Sequence, residues 1–188
     1  MELLLPLWLP ILLSAAAVWI VAALVWMVMP HHKRDYISLP TPPGEDALMD
    51  YLRASGIPPG NYAVPDCHRP GAMKSEKVQR AWKEGPVGHL TLWKTPLTMG
   101  DKLIGTFLVY LVISTLIAYL TRFAIPDPAP FSRVFPLATT AGILAYCFSS
   151  IPNALWWGSY KRTIVANIFD GMLYAAITGA ILAWRWPR

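Results

Sequence analysis

The chain has 188 residues, 55% of them apolar, and a formal net charge of +5. The apolar residues come in long blocks, not at the helical or strand period of a soluble domain, which excludes an ordinary soluble fold of this size. Only two cysteines are present, Cys67 and Cys147, so no disulfide framework holds the chain together.

The first block, residues 3–29, carries Pro6 and Pro10 near its start and Ser14 as its one hydroxyl. It lacks a basic leader and exceeds the apolar core of about 7–15 residues found in secretory signals. It reads as a retained membrane helix, ended by Pro30 and flanked by His31, His32, Lys33 and Arg34. A loop of some seventy residues follows. Its proline-rich opening, 38–44, is an extended spacer. Beyond it, acids at Glu45 and Asp46 and a stop at Gly56 predict a short helix over 45–54. Residues 61–65 and 87–93 read as short strands, and 73–83 as a second helix with Ser75 as its cap. The loop is thus a small α+β cap, too small to bury much core alone, that leans on helix ends or lipid headgroups.

Three further apolar blocks, 103–121, 134–151 and 164–184, complete the chain. At about 1.5 Å per residue, about 20 helical residues match a hydrocarbon core of about 30 Å. The turn at 122–133, with Pro126, Pro128 and Pro130, forces blocks two and three into an antiparallel hairpin. Pro152 ends the third block. Trp156, Trp157 and Tyr160 then precede Lys161 and Arg162, an aromatic-then-basic interface pattern. The expected fold class is an all-α membrane protein, a four-helix bundle with an α+β insertion between helices 1 and 2. Its parts are 1–30, a first helix; 31–100, the cap; and 101–188, helices 2–4.

Twelve of the sixteen Lys and Arg residues fall in the 31–102 loop or at Lys161 and Arg162; only Arg122, Arg133, Arg185 and Arg188 fall on the other side. The positive-inside rule then puts the long loop in the cytoplasm and both termini outside.

Asp170 is the one Asp, Glu, Lys, Arg or His well inside an apolar block. A carboxylate there costs about 2.5–3.5 kcal/mol on insertion scales. With Thr163, Asn167 and Tyr174 it makes a polar stripe at helical spacing. Asn167, Asp170 and Tyr174 are therefore the candidate intramembrane site: Asp170 is an ion-handling carboxylate, a structural one capped by Asn or Tyr from a neighbouring helix, or an interfacial one if the hydrocarbon boundary lies deeper and residues 171–186 do the spanning. Gly171, Ala175, Gly179 and Ala183 form a small-residue stripe suited to close helix packing. Lys74, Lys77, Arg80 and Lys83 line one side of the second cap helix and suit anionic lipid headgroups. A metal test of His31, His32, Cys67, His68 and His89 is negative on spacing: no C-x2-C or H-x3-H occurs, and adjacent ligands rarely both reach one ion. No phosphate loop, nucleophile elbow, zinc-protease or dinucleotide signature occurs. No metal, other cofactor, nucleic acid or enzymatic activity is expected; the partners expected are the bilayer and a membrane protein.

The runs MPHHKR at 29–34, PGNY at 59–62, GPVG at 85–88, PNALWWG at 152–158, FDGMLY at 169–174 and a WPR tail at 186–188 together resemble a family of uncharacterised bacterial inner-membrane proteins of just under 200 residues. The resemblance implies a bacterial inner-membrane address and four spanning helices. It implies no established activity. Function is therefore expected to be structural, in assembly or scaffolding, with a small channel or transport component using Asp170 as the alternative.

Overall fold

The computed structural model describes residues 4–94 and 98–187. Leu3, at the start of the first predicted block, and Arg188 lie outside them. The chain divides into two compact units, Met1–Tyr36 with Thr98–Arg188, and Ile37–Leu97.

The first unit is helical. A single 3-10 turn, Leu5–Leu7, leads into α1 (Trp8–Met27). The elements of the second unit come next in the chain; the helices of the first resume with α4 (Met99–Ala124), α5 (Phe131–Ile143), α6 (Ile151–Trp156) and α7 (Lys161–Trp184). A π-helical turn, Leu144–Phe148, joins α5 to α6, so that 131–156 forms one long helical run. Pro152 lacks an N–H and its ring crowds the carbonyl four residues back; a widened turn just before it is the usual accommodation. Four helical runs, Leu5–Met27, Met99–Ala124, Phe131–Trp156 and Lys161–Trp184, are long and apolar enough to cross a membrane. Each encloses one of the four predicted blocks apart from its outermost residues.

The packing follows side-chain size. The most extensive helix contact is α5 on α7, with α1 against both α4 and α7, and α4 against α5. A Cβ built on Gly142 would lie 2.9 Å from Ala175, and one on Gly171 would lie 2.9 Å from the Tyr146 carbonyl oxygen. One on Gly179 would collide with Thr139 Oγ1 and come within 3.1 Å of the Thr139 amide. Gly171, Ala175, Gly179 and Ala183 are all buried, and the first three face α5 and the π turn of the same chain. Leu7, Ile11, Ile117, Ala118, Val134 and Leu182 fill the core at one end. Val18, Ala22 and Tyr174 make a second cluster. The outward faces stay apolar: Leu12, Ile20, Leu24, Val112, Leu116, Leu120, Leu144 and Phe169 are all exposed.

The second unit holds α2 (Gly44–Ser55), β1 (Gly60–Val64), α3 (Glu76–Glu84) and β2 (Gly88–Leu92). The strands pair antiparallel with Gly60 opposite Leu92 and Val64 opposite Gly88. The helix α2 carries its acids Glu45 and Asp46 in the first turn and stops at Gly56, whose φ of 62° is left-handed. The α3 helix begins later than the pattern suggests, because Ala72–Lys74 forms a separate 3-10 turn; Ser75 takes the cap position without a side-chain cap bond.

Candidate functional site

The start of the long loop belongs with the helices. Pro30 stops α1 and opens a 3-10 turn, Pro30–His32, continued by bonds from the Lys33 amide to the Pro30 carbonyl (3.1 Å) and the Asp35 amide to the His32 carbonyl (3.0 Å). This compact turn presents two adjacent imidazoles to the side of α7. There, His31 Nε2 lies 3.1 Å from Asp170 Oδ1 and His32 Nε2 lies 2.7 Å from Asp170 Oδ2. Both carboxylate oxygens of the buried aspartate are therefore occupied by histidines.

A second tier holds these groups in place. His32 Nδ1 lies 2.6 Å from Asp35 Oδ2, and Thr163 Oγ1 donates to Asp35 Oδ1 at 2.9 Å. Arg162 Nη2 donates to the His31 carbonyl at 2.6 Å, and its Nη1 lies 3.6 Å from Asp35 Oδ1. The Trp26 indole stacks on the His32 ring, 3.9 Å between centroids and 5° from parallel. His32 is 5% exposed and Asp170 7%.

His32 has a carboxylate at each ring nitrogen, and the only form that donates to both is the imidazolium. Burial works to lower the His32 pKa, but the hydrogen bonds and charges of Asp35 and Asp170 outweigh it and hold it above the ordinary 6.5. Burial likewise works to raise Asp35, yet the His32 and Thr163 hydrogen bonds and the charges of His32 and Arg162 hold it below the ordinary 3.8. The histidine's contribution to stability is complete below 6.5 and is lost as pH rises through its raised folded value. The aspartate's is complete above 3.8 and is lost as pH falls through its depressed value. Between those limits the cluster ties α1 to α7 at full strength.

A cleft of about 450 Å³ opens beside the cluster. His31, Arg162 and Asp170 form its polar end, and Val25, Met29, Val165 and Phe169 are among its apolar walls. Further along α7, Tyr174 and Thr178 follow Asp170 at four-residue spacing. The Tyr110, Tyr146 and Tyr174 rings stand 6.0–6.1 Å apart, edge-on or tilted. Tyr146 and Thr178 hydroxyls share a hydrogen bond of 3.2 Å. The Tyr174 hydroxyl is buried without a hydrogen-bond partner among the described residues.

These positions correct the sequence reading in two respects. Asn167 and Tyr174 share the candidate site with Asp170, but neither bonds it; the partners are His31 and His32, while the Thr163 end of the same stripe meets Asp35. Adjacent histidines do reach one group here, because a 3-10 turn lets both rings point to the same side. Among the described residues, His31, His32 and Asp170 are the one set of three potential ligands whose atoms all lie within 4.8 Å of one another. Cys67, His68 and His89 belong to the second unit. The basic residues Lys74, Lys77, Arg80 and Lys83 are exposed, with Arg80 Nε 2.7 Å from Glu84 Oε1. Cys67 and Cys147 are free thiols.

Fold and site together define a helical protein with an internal histidine–carboxylate cluster at one end of four long apolar helices. No protein-family model, curated protein or solved structure matches the chain.

Proposed function

We propose that this chain is a non-enzymatic, multi-pass protein of a bacterial inner membrane with a structural or assembly role, in which the His31–His32–Asp170 cluster locks the first long helix to the last. The observation that carries this reading is that both oxygens of Asp170 are taken up by side chains from the turn after α1. Four apolar helices with apolar outward faces support the membrane address, since such faces suit lipid better than water. The charge asymmetry supports a cytoplasmic long loop and periplasmic termini. The exposed basic side of α3 suits anionic headgroups or an acidic surface on a membrane-protein partner. Reporter fusions near Gly71 and after the last residue are expected to report opposite sides; a Gly71 fusion active only in the periplasm would reverse the orientation.

The second reading, a small channel or transport component, is favoured by the buried tyrosine and hydroxyl groups that continue from Asp170 along α7. Asp170→Asn separates the two. Asparagine keeps the shape and part of the hydrogen bonding but does not titrate. The structural reading expects a folded protein with stability lower by about 1.5–3 kcal/mol or less and vesicle proton or cation flux equal to wild type. A well-folded Asp170→Asn protein that loses a pH-dependent wild-type flux moves the chain into the transport class.

A further inference from the structure

We propose that His31, His32 and Asp170 form a binding site for one divalent transition-metal ion of the zinc class, with Asp35 as the outer carboxylate that orients His32. The inference uses the same cluster as the structural reading and adds a ligand to it.

Four observations carry it. First, the donor set is two imidazoles and a carboxylate, which selects zinc-like ions over magnesium or calcium. Second, the donors already converge. One ligand atom from each of the three residues lies within 4.8 Å of the other two, and tetrahedral ligand atoms stand about 3.3–3.5 Å apart at bond lengths of about 2.0–2.2 Å. The 3.1 and 2.7 Å contacts run to different oxygens of Asp170, so a modest side-chain turn brings one oxygen and both imidazoles onto one ion. Third, His32 has a carboxylate on its far nitrogen, the Asp35 contact at 2.6 Å. That arrangement fixes the tautomer with Nδ1 protonated and the Nε2 lone pair aimed at the ion. Thr163 orients Asp35 in turn, and Trp26 fixes the plane of the ring. Fourth, the ion's charge is compensated. Two carboxylates beside two neutral imidazoles carry −2 against the cation's +2, so the one charge left over is that of Arg162, 3.6 Å from Asp35 and half-exposed, not one buried in the cluster, where it would be costly.

Binding replaces the proton that His32 Nε2 shares with Asp170 by the metal, and that proton leaves to solvent. Three protein ligands leave a fourth tetrahedral position for water or a small donor. His31 and Asp170 border the cleft, which gives that position its access.

The test uses the full chain in mild detergent, stripped with a chelator and dialysed against Zn(II) alone. One zinc per chain is expected to be retained, with proton release on titration, and Co(II) is expected to give the intense visible bands of a tetrahedral site. His31→Ala leaves the His32–Asp170 and His32–Asp35 bonds in place and is expected to lose the cobalt bands. Asp35→Asn is expected to weaken zinc binding by about 10–100-fold. A Cys67→Ser/His68→Ala/His89→Ala variant is expected to keep its zinc. The proposal is overturned if wild type retains no zinc, if a folded His31→Ala protein binds it as tightly, or if the triple variant loses it. Chelator-treated protein separates this from the structural reading. If His32→Ala destabilises it while wild type binds no zinc, the metal site falls and the lock stands. If zinc binds through His31 but His32→Ala leaves metal-free stability unchanged, the lock falls and the site stands.

Discussion

Replacing His32 by alanine is expected to cost the metal-free protein about 3–5 kcal/mol of unfolding free energy near pH 6, the range for breaking a buried ion pair by removing one partner. The size follows from what is left behind. Asp35 and Asp170 both lose their closest cationic partner, and His31, whose ring is partly exposed, reaches only one oxygen of Asp170. Arg162 lies 3.6 Å from Asp35 and supplies part of the lost charge to that carboxylate alone. The penalty also has a defined pH dependence. Because the His32 pKa is raised in the folded protein, wild type itself gives up the interaction as pH climbs through that value. The gap between wild type and variant should therefore shrink toward pH 9. Unfolding in mild detergent with a chelator, followed by circular dichroism from pH 6 to 9, reads both features. Equal stability of the two proteins at pH 6, or a gap that widens with pH, would refute the assignment of His32 as the charged centre of the cluster.

The second large effect is steric. Gly179→Leu places a branched side chain where even a methyl group would collide with the Thr139 hydroxyl and press on its backbone amide at 3.1 Å, tighter than an ordinary contact. A rotamer change of Thr139 relieves the hydroxyl contact, but the further carbons of leucine beside an amide already at 3.1 Å require α5 and α7 to separate. Overpacking of this kind costs about 1–3 kcal/mol, and the upper part of that range or beyond is expected here. Gly105→Leu in α4 supplies the comparison, since nothing lies within 4 Å of a Cβ built there. It should be tolerated. Matching melting temperatures for the Gly179→Leu and wild-type proteins would mean that this face of α7 is not tightly packed.

Features carried by local composition were legible in the sequence. The four long helices follow from block hydrophobicity, and the α2 boundaries from acids in the first turn and a glycine after the last. The small-residue stripe on α7 was readable from its period, although its partner, α5 of the same chain, was not. The histidine cluster lay beyond reach for a specific reason. Spacing rules detect ligands that one helix or one knuckle brings together. Here the partners are 138 and 139 residues apart, so their meeting depends on how α1 and α7 pack. One signal did point to it. An aspartate placed among apolar residues needs a donor, and His31 and His32 stand at the end of α1, in the loop assigned to the same side as the start of α7. A cap from a neighbouring element is what Asp170 has, but the groups that supply it are the histidines of the turn after α1, not an Asn or Tyr. The late start of α3 reflects a lesser competition, in which Gly71 at φ 78° begins a 3-10 turn that takes up residues 72–74 first.

The separation of the two ends of the cluster also has a bearing on biogenesis. The histidines follow the first long helix to be made, and Asp170 sits in the fourth. At about 5–20 residues per second, roughly 7–28 s of synthesis lies between them. During that interval α1 can meet α4, but the carboxylate that takes up its two histidines has not yet been made. Closure of the cluster is thus a late event that reports the arrival of α7. A chain stalled or cut before Asp170 keeps the His32–Asp35 pair but leaves His31 and the far nitrogen of His32 without the carboxylate that both meet in the finished chain.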